Sequence, residues 1–343
     1  MEKRLSWIDV LKGVGMVLVM FAHASLPDEI RKYIYTFHLP LFFCISGYLF
    51  STKKYNTFSQ FIKSKSKTLL IPYLVFSLFN YLFYLLFSRF ANTVAENPLK
   101  PLLGIFVGVR GTEWTICNGT LWFVLALFIS EILLYSIIRL TKDNNKKISL
   151  ILILFSVLGY SYSKFIGVKL IWNIDVALVA VTFVGLGYIV KKSNILNRLD
   201  NYIYIIIFML LNFIFGALNT EVNMFSSIYG NYFYFYISAI TGTLGVILIC
   251  KKINNSKILE FIGQNTFVYL AIHQYVIFSV LKKITGRFIT NSSGISLIII
   301  AIGYVLFTMV VLYVPIKIIN RYFPYLVGKS KIKSIKNNTV INS

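Results

Sequence analysis

Cysteine, histidine and acidic residues are all scarce in this chain of 343 residues, which contains three Cys, three His and 12 Asp or Glu. Cys44, Cys117 and Cys250 show no paired spacing, and the three histidines are scattered along the sequence. Disulfide frameworks and metal sites need such ligands at short, regular spacings. The sequence therefore supports neither a disulfide-stapled fold nor a metal centre.

Apolar residues are what the chain has in excess. Hydrophobic residues make up 57% of it, charged residues only 13%, and the mean hydropathy is +0.74. This is more apolar surface than one soluble core can bury, so the composition predicts a membrane protein. The 34 Lys and Arg give a net charge of +22, but they are spread through short connections. That distribution indicates membrane topology and argues against nucleic-acid binding.

Ten apolar runs are candidates for membrane spans. A helix needs roughly 17 to 25 apolar residues to cross a bilayer, and nine runs approach or reach this length. A tenth, at 37–50, is shorter, but without it the Lys-rich connection 52–68 would fall on the same side as the Asp28-Glu29 turn. We predict an all-α, polytopic membrane protein with about ten transmembrane helices, at 8–24, 37–50, 69–87, 120–138, 148–163, 170–190, 202–218, 232–250, 265–281 and 295–319.

The basic residues predict how these helices are oriented. Counted over the termini and alternate connections, 22 Lys and Arg lie on one side and 10 on the other. Since cytoplasmic loops carry the excess of basic residues, both termini are expected in the cytoplasm and the protein in the plasma membrane. Residues 1–323 form the predicted membrane domain. Residues 324–343 read as a basic, disordered cytoplasmic tail close to anionic lipid.

The first apolar run, DVLKGVGMVLVMFAH at 9–23, carries three ionisable residues. Lys12 and His23 are eleven positions apart, which places them within about 20° of a common helix face and roughly 16 Å apart along the axis. Asp9 lies one turn before Lys12 and can pair with it. Ionisable groups within a membrane face the protein interior, so this stripe predicts a functional surface.

Other polar or aromatic residues are expected near this stripe. In the predicted topology His23 lies toward the outer leaflet. His38 begins the second run, Trp122 opens the fourth and Asp175 lies early in the sixth, so these residues share the outer third of the membrane. His273 lies near the middle of the ninth run. Together the polar groups define a candidate path through the membrane from Lys12 to His23.

Several stretches of this sequence resemble the integral-membrane acyltransferase family 3, and in particular its fucose 4-O-acetylase-like branch. In KGVGMVLVMFAH at 12–23 a basic residue and a histidine enclose ten residues, as in that family. Four more stretches follow in the family's order: FHLPLFFCISGYLF at 37–50, NGTLWFVLALFISEILL at 118–134, NIDVALVAVTFVGLGYIV at 173–190 and GQNTFVYLAIH at 263–273.

The resemblance implies O-acylation of cell-envelope sugars with an acyl-CoA donor such as acetyl-CoA. It also implies that His23 is catalytic and that Lys12 is essential. The family often has Arg at the position of Lys12, and Lys lacks the planar guanidinium that contacts a phosphate or carboxylate through two bonds. The expected partners are acyl-CoA on the cytoplasmic side, a sugar or polysaccharide acceptor on the outer side, and membrane lipids.

The residues fit this chemistry on their own terms. Transfer of an acyl group to a hydroxyl needs a base active near neutrality, and the unperturbed pKa of His, about 6.5, suits that task. His23 is the candidate base and His38 the second candidate catalytic residue, while Trp122, or a protonated His38 or His273, could stabilise an oxyanion. We expect Lys12 to meet a phosphate of CoA. Alternatively, Lys12 only pairs with Asp9 to hold the fold.

A simpler structural role remains open for most of these residues. His38 and Trp122 could be interfacial residues, Asp9 could orient Lys12, and Asp175 and His273 could form hydrogen bonds between helices. A different function is open too, because ten spans with buried Asp, Lys and His would also suit a transporter or flippase of lipid-linked sugars. The sequence shows no evident inverted repeat, which counts against that alternative.

Overall fold

The computed structural model describes residues 5–91, 97–286 and 294–329. These residues form helices and, apart from one isolated bridge between Asn223 and Ile228, no β-structure. The α-helices are α1 Ser6–His23, α2 Asp28–Tyr35, α3 His38–Leu49, α4 Phe58–Lys65, α5 Ile71–Ala91, α6 Leu99–Val107, α7 Trp122–Leu140, α8 Asn145–Phe165, α9 Ile174–Ser193, α10 Ile195–Arg198, α11 Tyr202–Leu218, α12 Tyr232–Ile253, α13 Lys257–Gln264, α14 Thr266–Ile272, α15 Ser279–Thr285 and α16 Ile295–Tyr322.

The prediction of an all-α, polytopic membrane protein is confirmed. Within the described ranges, eight helical segments are long and apolar enough to cross a membrane, and each coincides with a predicted run. The two remaining predicted positions hold the shorter helices α11, of 17 residues, and α3, of 12. The number of crossings and the cytoplasmic location of the termini stay predictions.

The Lys-rich connection before the third run differs from its prediction. The candidate membrane span begins at Phe58 and ends at Phe87, so it starts eleven residues before the predicted start at 69. A π-helical turn at Ser66–Leu70 joins α4 to α5 within this segment. Three of the five lysines between residues 52 and 68 therefore lie in helical segments, and Lys65 is the last residue of α4.

Close contact between α1 and α13 depends on glycine. A Cβ added to Gly13 would lie 2.1 Å from the carbonyl oxygen of Leu259, and one added to Gly263 would lie 1.8 Å from that of Asp9. Neither distance is possible for a real side chain, so only glycine allows the two backbones to touch here. Gly13 and Gly263 therefore allow α1 and α13 to pack backbone against backbone.

The crossing of α3 and α9 is built in the same way. A Cβ on Gly47 would lie 1.7 Å from the carbonyl oxygen of Val184, and one on Gly187 would lie 1.9 Å from that of Cys44. Each helix therefore presents a glycine to the backbone of the other. This contact fixes α3, which carries His38, against the long and largely buried α9.

Both described ends of the chain lie on one face of the helix bundle, which we call the N-terminal face. The start of α1 touches Gly263 through Asp9, and two residues later Asn265 accepts hydrogen bonds from Lys329 Nζ and Asn320 Nδ2, each at 2.8 Å. The chain after α16 forms a 3-10 turn at Pro324–Val327. Most of the predicted tail, residues 330–343, lies outside the described residues.

Candidate active site

A cavity of about 540 Å³ lies between α1, α3, α7 and α14. Its volume falls within the range typical of small-molecule sites. Lys12, His23, His38 and Trp122 all line it, so four of the predicted site residues come together on one surface. This surface is the stripe predicted on the first helix, completed by neighbouring helices.

Six residues lining this cavity lie at two levels, and each of three helices contributes one residue to each level. Helix α1 contributes Lys12 and His23, α3 contributes Ser46 and His38, and α7 contributes Glu131 and Trp122. The two residues on each helix are eight to eleven positions apart, or roughly 12 to 16 Å along the axis. Lys12, Ser46 and Glu131 form the level nearer the N-terminal face. His23, His38 and Trp122 form the level nearer the opposite face.

His38 is held in one tautomer. Its Nδ1–H donates a hydrogen bond to the carbonyl oxygen of Ile34 at 2.8 Å, and its ring lies 5.1 Å from that of Tyr35. A carbonyl oxygen can only accept, so Nδ1 carries the proton and, in the neutral ring, Nε2 carries the lone pair. Because His38 lines the cavity, Nε2 is its ring atom that can act as a base or a hydrogen-bond acceptor there.

His23 differs from His38 in lacking such an anchor. No hydrogen bond to its imidazole occurs within the described part of the chain, and the ring instead packs against that of His273, with centroids 5.3 Å apart. His273 is fully buried, and its Nδ1–H donates to the carbonyl oxygen of Tyr269 at 2.7 Å. The two nitrogens of His23 are thus available to a ligand, while the ring position is set by packing.

A second cavity, of about 960 Å³, opens toward the opposite face. It shares His23, Tyr35 and Asn223 with the first cavity. Its remaining polar wall carries charges of both signs, from Asp28, Glu29, Arg31, Lys32, Glu221 and Lys282. His23 therefore lies where the first cavity meets the charged second cavity.

Trp122 begins α7, as its sequence position suggested, and lines the first cavity. Its ring packs edge-on against Phe123 and Phe225, and its carbonyl accepts a hydrogen bond from Asn173. No acceptor pairs with its indole N–H among the described residues. The N–H is therefore a donor available at the same level as His23 and His38.

Asp9, Asp175 and His273 do not belong to the linings of the two cavities described. Asp9 is buried beside α13 and accepts a hydrogen bond from Gln264 Nε2 at 3.3 Å. The ring of His273 packs against the ring of His23. The predicted pairing of Asp9 with Lys12 stays a prediction.

Asp175 instead belongs to a buried ion pair with Arg110. Two nitrogens of the Arg110 guanidinium donate to the Asp175 carboxylate at 2.9 and 2.6 Å, and the same group donates to Ser227 Oγ and to the Phe225 carbonyl, both at 2.5 Å. The Arg110 side chain is fully buried. The Arg110 side chain therefore connects the segment before α7 to the start of α9 and to the loop between α11 and α12, which contains Asn223 and Phe225.

Sequence reasoning missed Lys65, which also lines the first cavity. Its Nζ lies 2.9 Å from Oε1 of Glu131, and Ser46 Oγ donates to the same oxygen at 2.6 Å. Glu131 and Ser46 thus form a polar cluster with Lys65 in the cavity wall. The signal was the carboxylate itself, because a buried Glu in an apolar helix needs a cation. Nothing in the sequence distinguished Lys65 from its neighbours.

Comparison with known proteins identifies the family. The profile of the acyltransferase 3 family, described as an acyltransferase domain, matches residues 5–316. The nodulation protein NolL of Mesorhizobium japonicum is 30% identical over 138 residues, which are 37% of this chain and 34% of that protein. The chain thus matches about a third of this relative's length, and no solved structure matches the chain. Since the family match covers nearly the whole chain and contains the cavity that joins Lys12 to His23, this membrane protein belongs to the acyltransferase 3 family.

Proposed function

We propose that this protein transfers an acetyl or other short acyl group from acyl-CoA to a hydroxyl of a cell-envelope or exported sugar. The observation that carries the proposal is the position of His23 in the walls of both cavities. A base in that position can contact a donor entering from one face and an acceptor entering from the other. The excess of Lys and Arg favours a cytoplasmic N-terminal face, and therefore acyl-CoA as the donor on that side.

His23 acts as the general base in this proposal. It takes the proton of the acceptor hydroxyl as the oxygen attacks the thioester carbonyl carbon, which forms a tetrahedral intermediate. When the intermediate collapses, the carbon–sulfur bond breaks and the thiolate of CoA takes the proton from the imidazolium. The products are an O-acyl sugar and free CoA, and His23 returns to its neutral form.

Trp122 and His38 serve the same step from the facing helices. The indole N–H of Trp122 lacks a partner among the described residues and can donate to the developing oxyanion. His38, whose proton is fixed on Nδ1, presents an acceptor nitrogen that can orient the incoming hydroxyl. Both residues lie at the level of His23.

Lys12 binds the other end of the donor. It lies roughly 16 Å from His23 along α1, too far to touch the reacting carbonyl. A phosphate of CoA at the N-terminal face would pair with its ammonium group. The extended pantetheine arm would then run along the apolar cavity toward His23.

Transfer of label from radiolabelled acetyl-CoA to cell-envelope glycan tests this function. Membranes containing wild type, His23→Ala and, as a control for expression and folding, Lys146→Ala at the exposed start of α8 are compared at matched abundance. We expect labelled glycan with wild type and Lys146→Ala and none with His23→Ala. Equal labelling by His23→Ala would refute the assigned base.

A second experiment, on purified protein, separates the enzyme from a carrier of lipid-linked sugars. Purified enzyme should release CoA from acetyl-CoA when an acceptor sugar is supplied, and His23→Ala should not. A carrier would move labelled lipid-linked sugar across the membrane of a vesicle without consuming acetyl-CoA. That outcome would replace the proposal with the transporter alternative.

A further inference from the structure

One carboxylate oxygen of Glu131 has two polar contacts, and the other has no hydrogen-bond partner among the described residues. Lys65 Nζ at 2.9 Å and Ser46 Oγ at 2.6 Å both contact Oε1. Oε2 is buried and has no hydrogen-bond partner among the described residues. The residue as a whole is 3% exposed and lies in the wall of the cavity.

A buried carboxylate oxygen without a donor is unusual, because its lost hydration is not replaced. Lys65 and Ser46 converge on Oε1 and so fix the plane of the carboxylate. Lys65 is itself held over the rings of Phe50 and Phe61, 5.3 and 6.0 Å from the two centroids. The arrangement leaves an oriented acceptor in the cavity wall.

The backbone near Lys65 is irregular. The π-helical turn at Ser66–Leu70 begins immediately after Lys65, where α4 meets α5. Single π-turns within helices are frequent at functional sites. Here the turn follows a lysine on a predominantly apolar helical segment, and the side chain of this lysine lines the cavity.

The depth of Glu131 limits what it can contact. It lies nine residues after Trp122 on α7, roughly 13 Å toward the N-terminal face along the axis. It is thus well short of the reacting level of His23. In an acyl-CoA the pantetheine arm joins the phosphates, placed near Lys12, to the thioester, placed near His23. The amide N–H groups of this arm are hydrogen-bond donors.

We propose that Oε2 of Glu131 accepts a hydrogen bond from an amide N–H of the pantetheine arm of the donor, with Lys65 and Ser46 positioning the carboxylate. This inference rests on the proposed function. An amide is favoured over a phosphate because a carboxylate repels phosphate, whereas a charged acceptor in an apolar wall strongly favours an N–H donor. Glu131 would then set the depth at which the thioester stops.

Direct binding measurements on purified protein test this contact. The ligands are CoA and adenosine 3′,5′-bisphosphate, a nucleotide that lacks the arm. The variants are wild type, Glu131→Gln and the control Glu113→Gln, which applies the same substitution to an exposed ion pair with Lys100. Glutamine preserves the size of Glu131 and can still accept from Ser46, but its amide replaces one acceptor oxygen with an NH2 donor and removes the negative charge.

We expect Glu131→Gln to bind CoA about 10- to 100-fold more weakly than wild type and the nucleotide equally well. Glu113→Gln should bind both as wild type does. Equal CoA affinity in Glu131→Gln would overturn the contact and leave the proposed function standing. Failure of wild type to bind CoA would overturn both.

CoA analogues in which an ester oxygen replaces each pantetheine amide N–H in turn keep the test decisive if Glu131→Gln folds poorly. They require only wild-type protein. One analogue should bind about 10-fold or more weakly than CoA because its donor to Oε2 is missing. If both analogues bind as CoA does, the inference is wrong.

Discussion

Lys12 and His23 lie eleven residues apart on α1 and line the same cavity. This separation predicts different kinetic consequences for the two residues. Replacing Lys12 with Met should raise KM for acyl-CoA about 10-fold or more with little change in kcat, because a phosphate contact is the same in ground and transition states. Steady-state kinetics over a range of donor concentrations would measure this split. A large fall in kcat with unchanged KM would contradict the phosphate role.

Arginine at position 12 gives the complementary prediction. Its planar guanidinium can make two hydrogen bonds to a phosphate, which lysine cannot. We expect Lys12→Arg to bind CoA at least as tightly as wild type in the same assay. Weaker binding than Lys12→Met would show that the site is shaped against a larger cation and not built for a phosphate.

His38 should contribute to the chemical step. We expect His38→Phe, which keeps a ring beside Tyr35 but removes the acceptor Nε2, to lower kcat about 100-fold or more and to leave CoA affinity unchanged. Rapid-mixing measurement of a single turnover, together with CoA titration, would report these quantities separately. Retention of most of the wild-type rate would assign His38 a structural role only.

The buried pair of Arg110 and Asp175 should act on stability. Removing one partner strands the other charge in the protein interior, so Arg110→Met or Asp175→Asn should each lower the free energy of unfolding by about 3 to 5 kcal/mol. The double variant should lose less than the sum of the two. Equilibrium unfolding in detergent would measure these values. Additive losses would mean that the two side chains act independently.

Glycine packing offers a matched pair of substitutions. Gly263→Ala would place a methyl group 1.8 Å from the carbonyl oxygen of Asp9, whereas a Cβ on Gly303, on the exposed side of α16, meets nothing within 4 Å. We therefore expect Gly263→Ala to lower the thermal midpoint and the folded yield, and Gly303→Ala to leave both unchanged or slightly raised. If the two variants have equal thermal midpoints and folded yields, α1 and α13 can move apart without loss of stability.

Much of the architecture follows from the sequence because bilayer thickness and residue hydropathy decide where a chain can cross. Each of the ten predicted runs corresponds to a helix. The misplaced start of the third, at Phe58 instead of residue 69, has a simple reason: charged residues at the ends of membrane helices look like loop residues in a hydropathy pattern.

The sequence also identified part of the cavity lining, because polar residues in apolar helices are rare and visible. Spacing alone placed Lys12 and His23 on one face, since a regular helix fixes the angle between them. His38 and Trp122 could be named because each begins an apolar run, and the structure brings both to the same cavity.

Only the tertiary structure decided which polar residues meet. Arg110 and Asp175 are 65 residues apart, and Lys65 and Glu131 are 66 apart, so no local pattern relates them. Partner choice depends on how helices pack, which the glycine contacts of α1 with α13 and α3 with α9 set. Helix periodicity determines the face that a residue occupies, but the packing of other helices determines what that face contacts.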